Sequence, residues 1–83
     1  MTSIDHTPIV VCEPNWRPLE MTLASCDCEH FMYMGRSGEI ELYKHRCTRR
    51  YLNISSDGRR FYRLVGNEYI EISRGEAIEH VFS

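Results

Sequence analysis

Three cysteines and two histidines crowd into two short clusters, Cys26-Asp27-Cys28-Glu29-His30 and His45-Arg46-Cys47. Thiolate and imidazole are the ligands zinc favours, and a structural zinc site needs four of them in a tetrahedron. The candidate tetrad is Cys28, His30, His45 and Cys47, with Cys26 in reserve. Its spacing is unlike that of the usual zinc knuckles, where Cys-x-x-Cys turns let backbone amides support the sulfurs. On a flat strand, Cys-x-Cys holds its sulfurs about 7 Å apart, too far for one ion without bending. The expectation is a protein without a cofactor, and a zinc-stabilised domain is the alternative. The same residues permit a Cys28–Cys47 disulfide, or a thiol whose pKa is lowered by Arg46, Arg49 and His45. No signature of Cys/His catalysis accompanies them, and 83 residues leave little room for a substrate cleft. The chain is therefore not expected to be an enzyme.

Whether the two clusters meet depends on a hairpin. The stretch 26–54 reads as one long β-hairpin folding about Ser37-Gly38. A two-residue turn there pairs Arg36 with Glu39, so that His30 faces His45 and Cys28 faces Cys47. Residues two apart share a face, which puts the tetrad on one side and Phe31, Tyr33, Ile40 and Leu42 on the other. A three-residue loop, Arg36-Ser37-Gly38, shifts the pairing by one residue and makes Gly38 a left-handed bulge. Met32 and Met34 then join Ile40 and Leu42, Cys28 faces Arg46, and the Cys/His set is split between faces. The sequence is compatible with both registers, and that single slip decides whether the ligands converge.

A second constellation interleaves cations with rings. Tyr43-Lys44-His45-Arg46, Arg49-Arg50-Tyr51 and Arg59-Arg60-Phe61-Tyr62-Arg63 place both on adjoining strands. Sheets of this kind bind single-stranded nucleic acid by stacking bases on rings while cations meet phosphates. The overall pI of about 6.0 is far from a basic footprint. The charge is unevenly spread, however. Between Arg36 and Gly66 lie eight basic and three acidic residues, and the rest of the chain holds two basic and nine acidic. Such a bipolar pattern is either paired internally or offered to a partner by electrostatic complementarity. Candidate binding residues are Trp16, Tyr43, Lys44, Arg46, Arg49, Arg50, Tyr51, Arg60 and Tyr62. Trp16, in a loop flanked by Pro14 and Pro18, is either an anchor or a lid folded on the sheet edge.

The elements that must position these residues follow from pattern and punctuation. Residues 1–7 are polar and read as loose. The apolar, β-branched run 8–12 suits an edge strand. Residues 13–18 are turn material. Residues 19–25 fit either a short helix opened by Pro18 or a strand, with helix favoured. Beyond the hairpin, a break near Arg46–Arg50 precedes a strand at 51–54. Turns at Ser55-Ser56-Asp57-Gly58 and Gly66-Asn67 then separate strands at 59–65 and 68–72. Ser73-Arg74-Gly75-Glu76 has capping-box spacing, and Ala77, Ile78, Val81 and Phe82 line one stripe of a closing helix.

A hydrophobic content of 42% argues for a folded chain, and 83 residues suit one small domain spanning 1–83. No apolar run is long enough to span a membrane, and the start lacks the basic and apolar regions of a secretory signal. A cytoplasmic location with reduced thiols is expected. The expected fold is α+β, an antiparallel meander of four to five strands with a short C-terminal helix packed on one face. The expected function is that of a small non-catalytic adaptor or regulator with a protein partner. A single-stranded nucleic-acid-binding module is the alternative.

Overall fold

Period-two alternation through the middle of the chain, cut by Gly-containing turns, produces an antiparallel sheet, and a capped 3.6-period stripe closes it. The structure, a computed structural model, describes residues 9, 10 and 13–83; the segment 1–7 and residues 8, 11 and 12 of the expected first strand lie outside these. The elements are β1 (Ile9–Val10), α1 (Arg17–Thr22), α2 (Ser25–Cys28), β2 (Phe31–Ser37), β3 (Ile40–His45), β4 (Tyr51–Ser55), β5 (Phe61–Val65), β6 (Glu68–Ile72) and α3 (Arg74–Phe82). All neighbouring strands are antiparallel and follow chain order, with α3 packed across β4 and β5. The fold is the expected α+β meander with a C-terminal helix. No helix among the described residues is long and apolar enough to cross a membrane.

The β2–β3 hairpin overturns both registers weighed from sequence. Ser37 pairs with Ile40, so the turn is Gly38-Glu39, with Gly38 left-handed at φ 61°. A glycine at the first central position is what a type II′ turn requires, and that turn matches the twist of its strands. Farther along, Tyr33 pairs with Tyr43 while Gly35 pairs with Leu42, leaving Met34 as the extra residue of a β-bulge. The bulge shifts the register by one, placing Phe31 opposite His45. Phe31, Tyr33, Tyr43 and His45 thus share one side, and Ile40 and Leu42 lie on the other.

The hairpin is also shorter than 26–54. Its first strand starts at Phe31, because the partner strand stops at His45. The His45 imidazole accepts hydrogen bonds at Nδ1 from the backbone N–H of Cys47 (3.1 Å) and Thr48 (3.2 Å), which curls the chain into a turn. Arg49 completes that turn in the left-handed region at φ 66°. With no partner opposite, Ser25–Cys28 winds into α2 instead of extending.

The main core lies between the sheet and the helices. Leu19 of α1 and Val81 of α3, both fully buried, meet Phe31, Tyr43, Leu52 and Phe61. Each such side chain contributes about 1.5–3 kcal/mol by leaving water. The helices are also tied to each other: Arg74 donates from Nη2 to the Thr22 carbonyl at 2.7 Å, placing a cation on the exposed end of α1. Val81 and Ala77 are buried as the stripe predicts, but Phe82 is 40% exposed, with its ring edge-on to Phe31 and His45.

The sheet does not stay flat. Tyr69 of β6 hydrogen-bonds Ser37 of β2, with three strands between them in the sheet order. That contact requires the sheet to curl so that its second face becomes an interior, and there Ile40, Leu42 and Asn53 are each buried to within 3%.

Candidate functional site

The curl brings the Cys/His residues no closer. Cys28 sits in α2, its thiol directed at the carbonyls of Leu19 and Leu23, each 3.7 Å away. Cys47 is exposed in the β3–β4 turn, and Cys26 is exposed in α2. His30 precedes β2, its ring 6.1 Å from that of His45, whose Nδ1 is already engaged. No group of three or more potential ligands converges among the described residues. The tetrad Cys28, His30, His45 and Cys47 is therefore not assembled as one site, because the hairpin register that aligned it does not form. The Cys28–Cys47 disulfide loses its geometry for the same reason. Nor is Cys28 activated: burial, with Glu20, Asp27 and Cys26 nearby, pushes its thiol up.

The aromatic candidates divide. Tyr43 is fully buried and donates from its hydroxyl to the Asn15 carbonyl at 2.6 Å, so it belongs to the core and not to a binding face. Burial, reinforced by Glu41 and Tyr33, keeps its phenol protonated well beyond the ordinary range. Trp16 is half-buried with its ring 5.9 Å from both Tyr33 and Tyr43, packed as a lid on the core. Tyr51 and Tyr62 remain half-exposed, and Lys44 Nζ lies 5.8 Å from the Tyr51 ring centroid.

The arginines stay at the surface. Arg46, Arg49 and Arg50 crown the β3–β4 turn, Arg59 and Arg60 lead into β5, and Arg63 lies within it; all six are exposed. Among the described residues the ion pair found is Arg36–Glu41, and none of these six takes part in one. Among the described residues, then, these six charges are not neutralised by ion pairs.

Three of the cationic or titratable groups surround a cleft of about 430 Å³. It lies where β4 and β5 part. Their ladder joins Asn53 to Tyr62 and Ile54 to Phe61, and goes no further toward Tyr51 and Leu64. Arg50 and Arg63 stand at the exposed rim, His80 reaches in from α3, and Tyr51 and Tyr69 form half-buried walls over a floor of Leu42 and Asn53. Burial, followed by the charges of Arg50 and Arg63, holds the His80 imidazole below its usual value. On its far side Arg63 borders a second hollow lined by Glu76 and Glu79. Glu76 is committed there to the helix cap.

No family model, curated protein or solved structure matches this chain. Its site is therefore read from its own residues. Sequence reasoning picked out Arg50 and Tyr51 of the cleft but missed Asn53, Tyr69 and His80. The one available signal was Asn53, a residue depleted in strand interiors. Tyr69 and His80 join only through the curl of β6 and the docking of α3.

Proposed function

We propose that this chain is a small non-catalytic adaptor or regulatory protein of the cytoplasm that works by contact with an acidic protein partner. The reading is carried by the six exposed arginines, which meet no carboxylate in an ion pair among the described residues. Charges at a rim steer encounter and select the partner more than they add affinity. Apolar area to hold a partner lies alongside Arg63, where Leu64 and Val65 are each 52% exposed and Ile70 is 45% exposed. A nucleic-acid role is the second reading, favoured by Lys44 over the Tyr51 ring. It is weakened by the loss of Tyr43 to the core and by the net charge of −2.

A salt titration separates the two. A labelled oligoglutamate should bind, weaken with added salt, and lose most of its affinity when Arg46, Arg49 and Arg50 are replaced together by Gln. A labelled single-stranded oligonucleotide should bind only weakly, and Tyr51→Ala or Tyr62→Ala should leave that binding unchanged. Sub-micromolar oligonucleotide binding at physiological salt, with a slope of about −0.7 per phosphate and a loss on either tyrosine change, would overturn the adaptor reading.

A further inference from the structure

We propose that the cleft between β4 and β5 is a binding site for a small organic anion: a flat ring bearing a carboxylate or phosphate at one end and an O–H or N–H donor at the other. This goes beyond the adaptor reading and does not depend on it.

Four observations define the ligand. The size comes first, since about 430 Å³ falls in the usual range for small-molecule sites, roughly 300–1,000 Å³. Charge comes second. Arg50 reaches the rim from the β3–β4 turn and Arg63 from β5, neither in an ion pair among the described residues, and His80 shares the cleft and feels both charges. An anion there would relieve their mutual repulsion and accept charge-assisted hydrogen bonds from both guanidinium groups. Glu79 and Glu76 face Arg63 and His80 only from the neighbouring hollow. Third, the walls are Tyr51 and Tyr69, with Leu42 and Leu64 beside them. Rings and aliphatic chains around a narrow slot suit a flat apolar body.

The fourth observation lies at the floor. Asn53 is 3% exposed, and its Nδ2 donates to the Tyr62 carbonyl at 3.3 Å, which fixes the orientation of the amide. Its Oδ1 is buried and receives no hydrogen bond from the described residues. A buried acceptor left unmade costs about 1–3 kcal/mol, so a donor at the inner end of the ligand would recover free energy. Oδ1 is sealed from solvent, so with the amide held by Tyr62 the ligand's donor meets it only when the neighbouring Leu42 side chain moves aside, and it is then shielded from competing water.

The test is a titration of the ¹⁵N-labelled protein followed by NMR, with 4-hydroxybenzoate as the carboxylate probe and uridine 5′-monophosphate as the phosphate probe. At least one should move the Asn53 side-chain amide together with the backbone signals of Tyr51 and Leu64, and the tighter of the two identifies the head group. Affinities should be about millimolar, as expected for ligands this small. Changing the ligand avoids any folding defect: 4-methoxybenzoate, whose donor is blocked, should bind about tenfold more weakly than 4-hydroxybenzoate, and uridine without its phosphate about tenfold more weakly than the nucleotide. Arg63→Gln, at an exposed position, should weaken both anions about tenfold while leaving the rest of the spectrum in place. The proposal is overturned if neither probe moves Asn53, if the methoxy and hydroxy acids bind alike, or if Arg63→Gln changes nothing. Binding of oligoglutamate is measured separately, so failure here leaves the adaptor reading standing, and the reverse also holds.

Discussion

Glu41 is a carboxylate with no solvent exposure, surrounded by donors. Tyr33 Oη and Ser56 Oγ each donate to it at 2.6 Å, Arg36 Nε at 2.7 Å and Asn15 Nδ2 at 3.4 Å. Burial alone would raise its pKa, but the hydrogen bonds from Ser56, Tyr33, Arg36 and Asn15 outweigh it and hold the carboxyl below its usual value. A carboxylate depressed on folding contributes stability that is present above its unfolded pKa, about 4.3, and is lost as pH falls through the folded value. Stability should therefore decline as pH falls below about 4.3, and Glu41→Gln should flatten that limb. The same change should destabilise the protein at neutral pH by about 3 kcal/mol, the low end for a broken buried pair, because Arg36 is 37% exposed and regains water. Wild-type and Gln proteins with parallel acid limbs would remove this role. In sequence, Glu41 looked like an ordinary polar position between Ile40 and Leu42. Only the bulge at Met34 sets Arg36 and Tyr33 beside it, and bulges leave little trace in composition.

Among the elements, α3 was the most legible and α2 the least. The cap of α3 is local chemistry: Ser73 Oγ accepts from the Glu76 N–H at 3.1 Å, and Glu76 Oε1 accepts from the Ser73 N–H at 3.2 Å, as the spacing predicts. Turns at Gly58 and Gly66 were equally readable, each with its glycine at positive φ. By contrast, α2 exists because β3 ends at His45, a non-local fact that residues 25–28 do not carry. The cleft was illegible for the same reason, since nothing in β4 or β5 alone says where their ladder stops. For α3 we expect Ser73→Ala to cost about 1 kcal/mol. Val81→Ala should cost roughly 2 kcal/mol by removing two buried methyl groups. Phe82→Ala should cost less than the 3–5 kcal/mol of a buried ring, in proportion to its 40% exposure. Urea titrations of the three variants check these values, and a Phe82→Ala cost above about 3 kcal/mol would contradict the part-exposed packing described.

At the scale of the whole molecule, the curl of the sheet and the cover of α3 make distant parts of the chain depend on each other. Tyr69→Phe should cost about 1 kcal/mol by deleting the bond to Ser37. Amide exchange should quicken in β5 and β6 before it does in β2 and β3, and uniform quickening would count against a curl held at that point. Truncation after Ile72 should be far more damaging, because Phe31, Leu52 and Phe61 lose Ala77 and Val81 from above. A truncated chain that keeps a dispersed NMR spectrum would refute the docking of α3. The place of Val81 in the core also has a consequence in time. It lies about fifty positions after Phe31, its partner in the same cluster. A ribosome adding about 5–20 residues per second leaves the first hairpin waiting for seconds with its apolar side open, whereas a hairpin closes in microseconds. During synthesis, then, the earliest-made strands are the ones in need of a chaperone's shelter, and slowing translation between Ile54 and Val81 would lengthen their exposure.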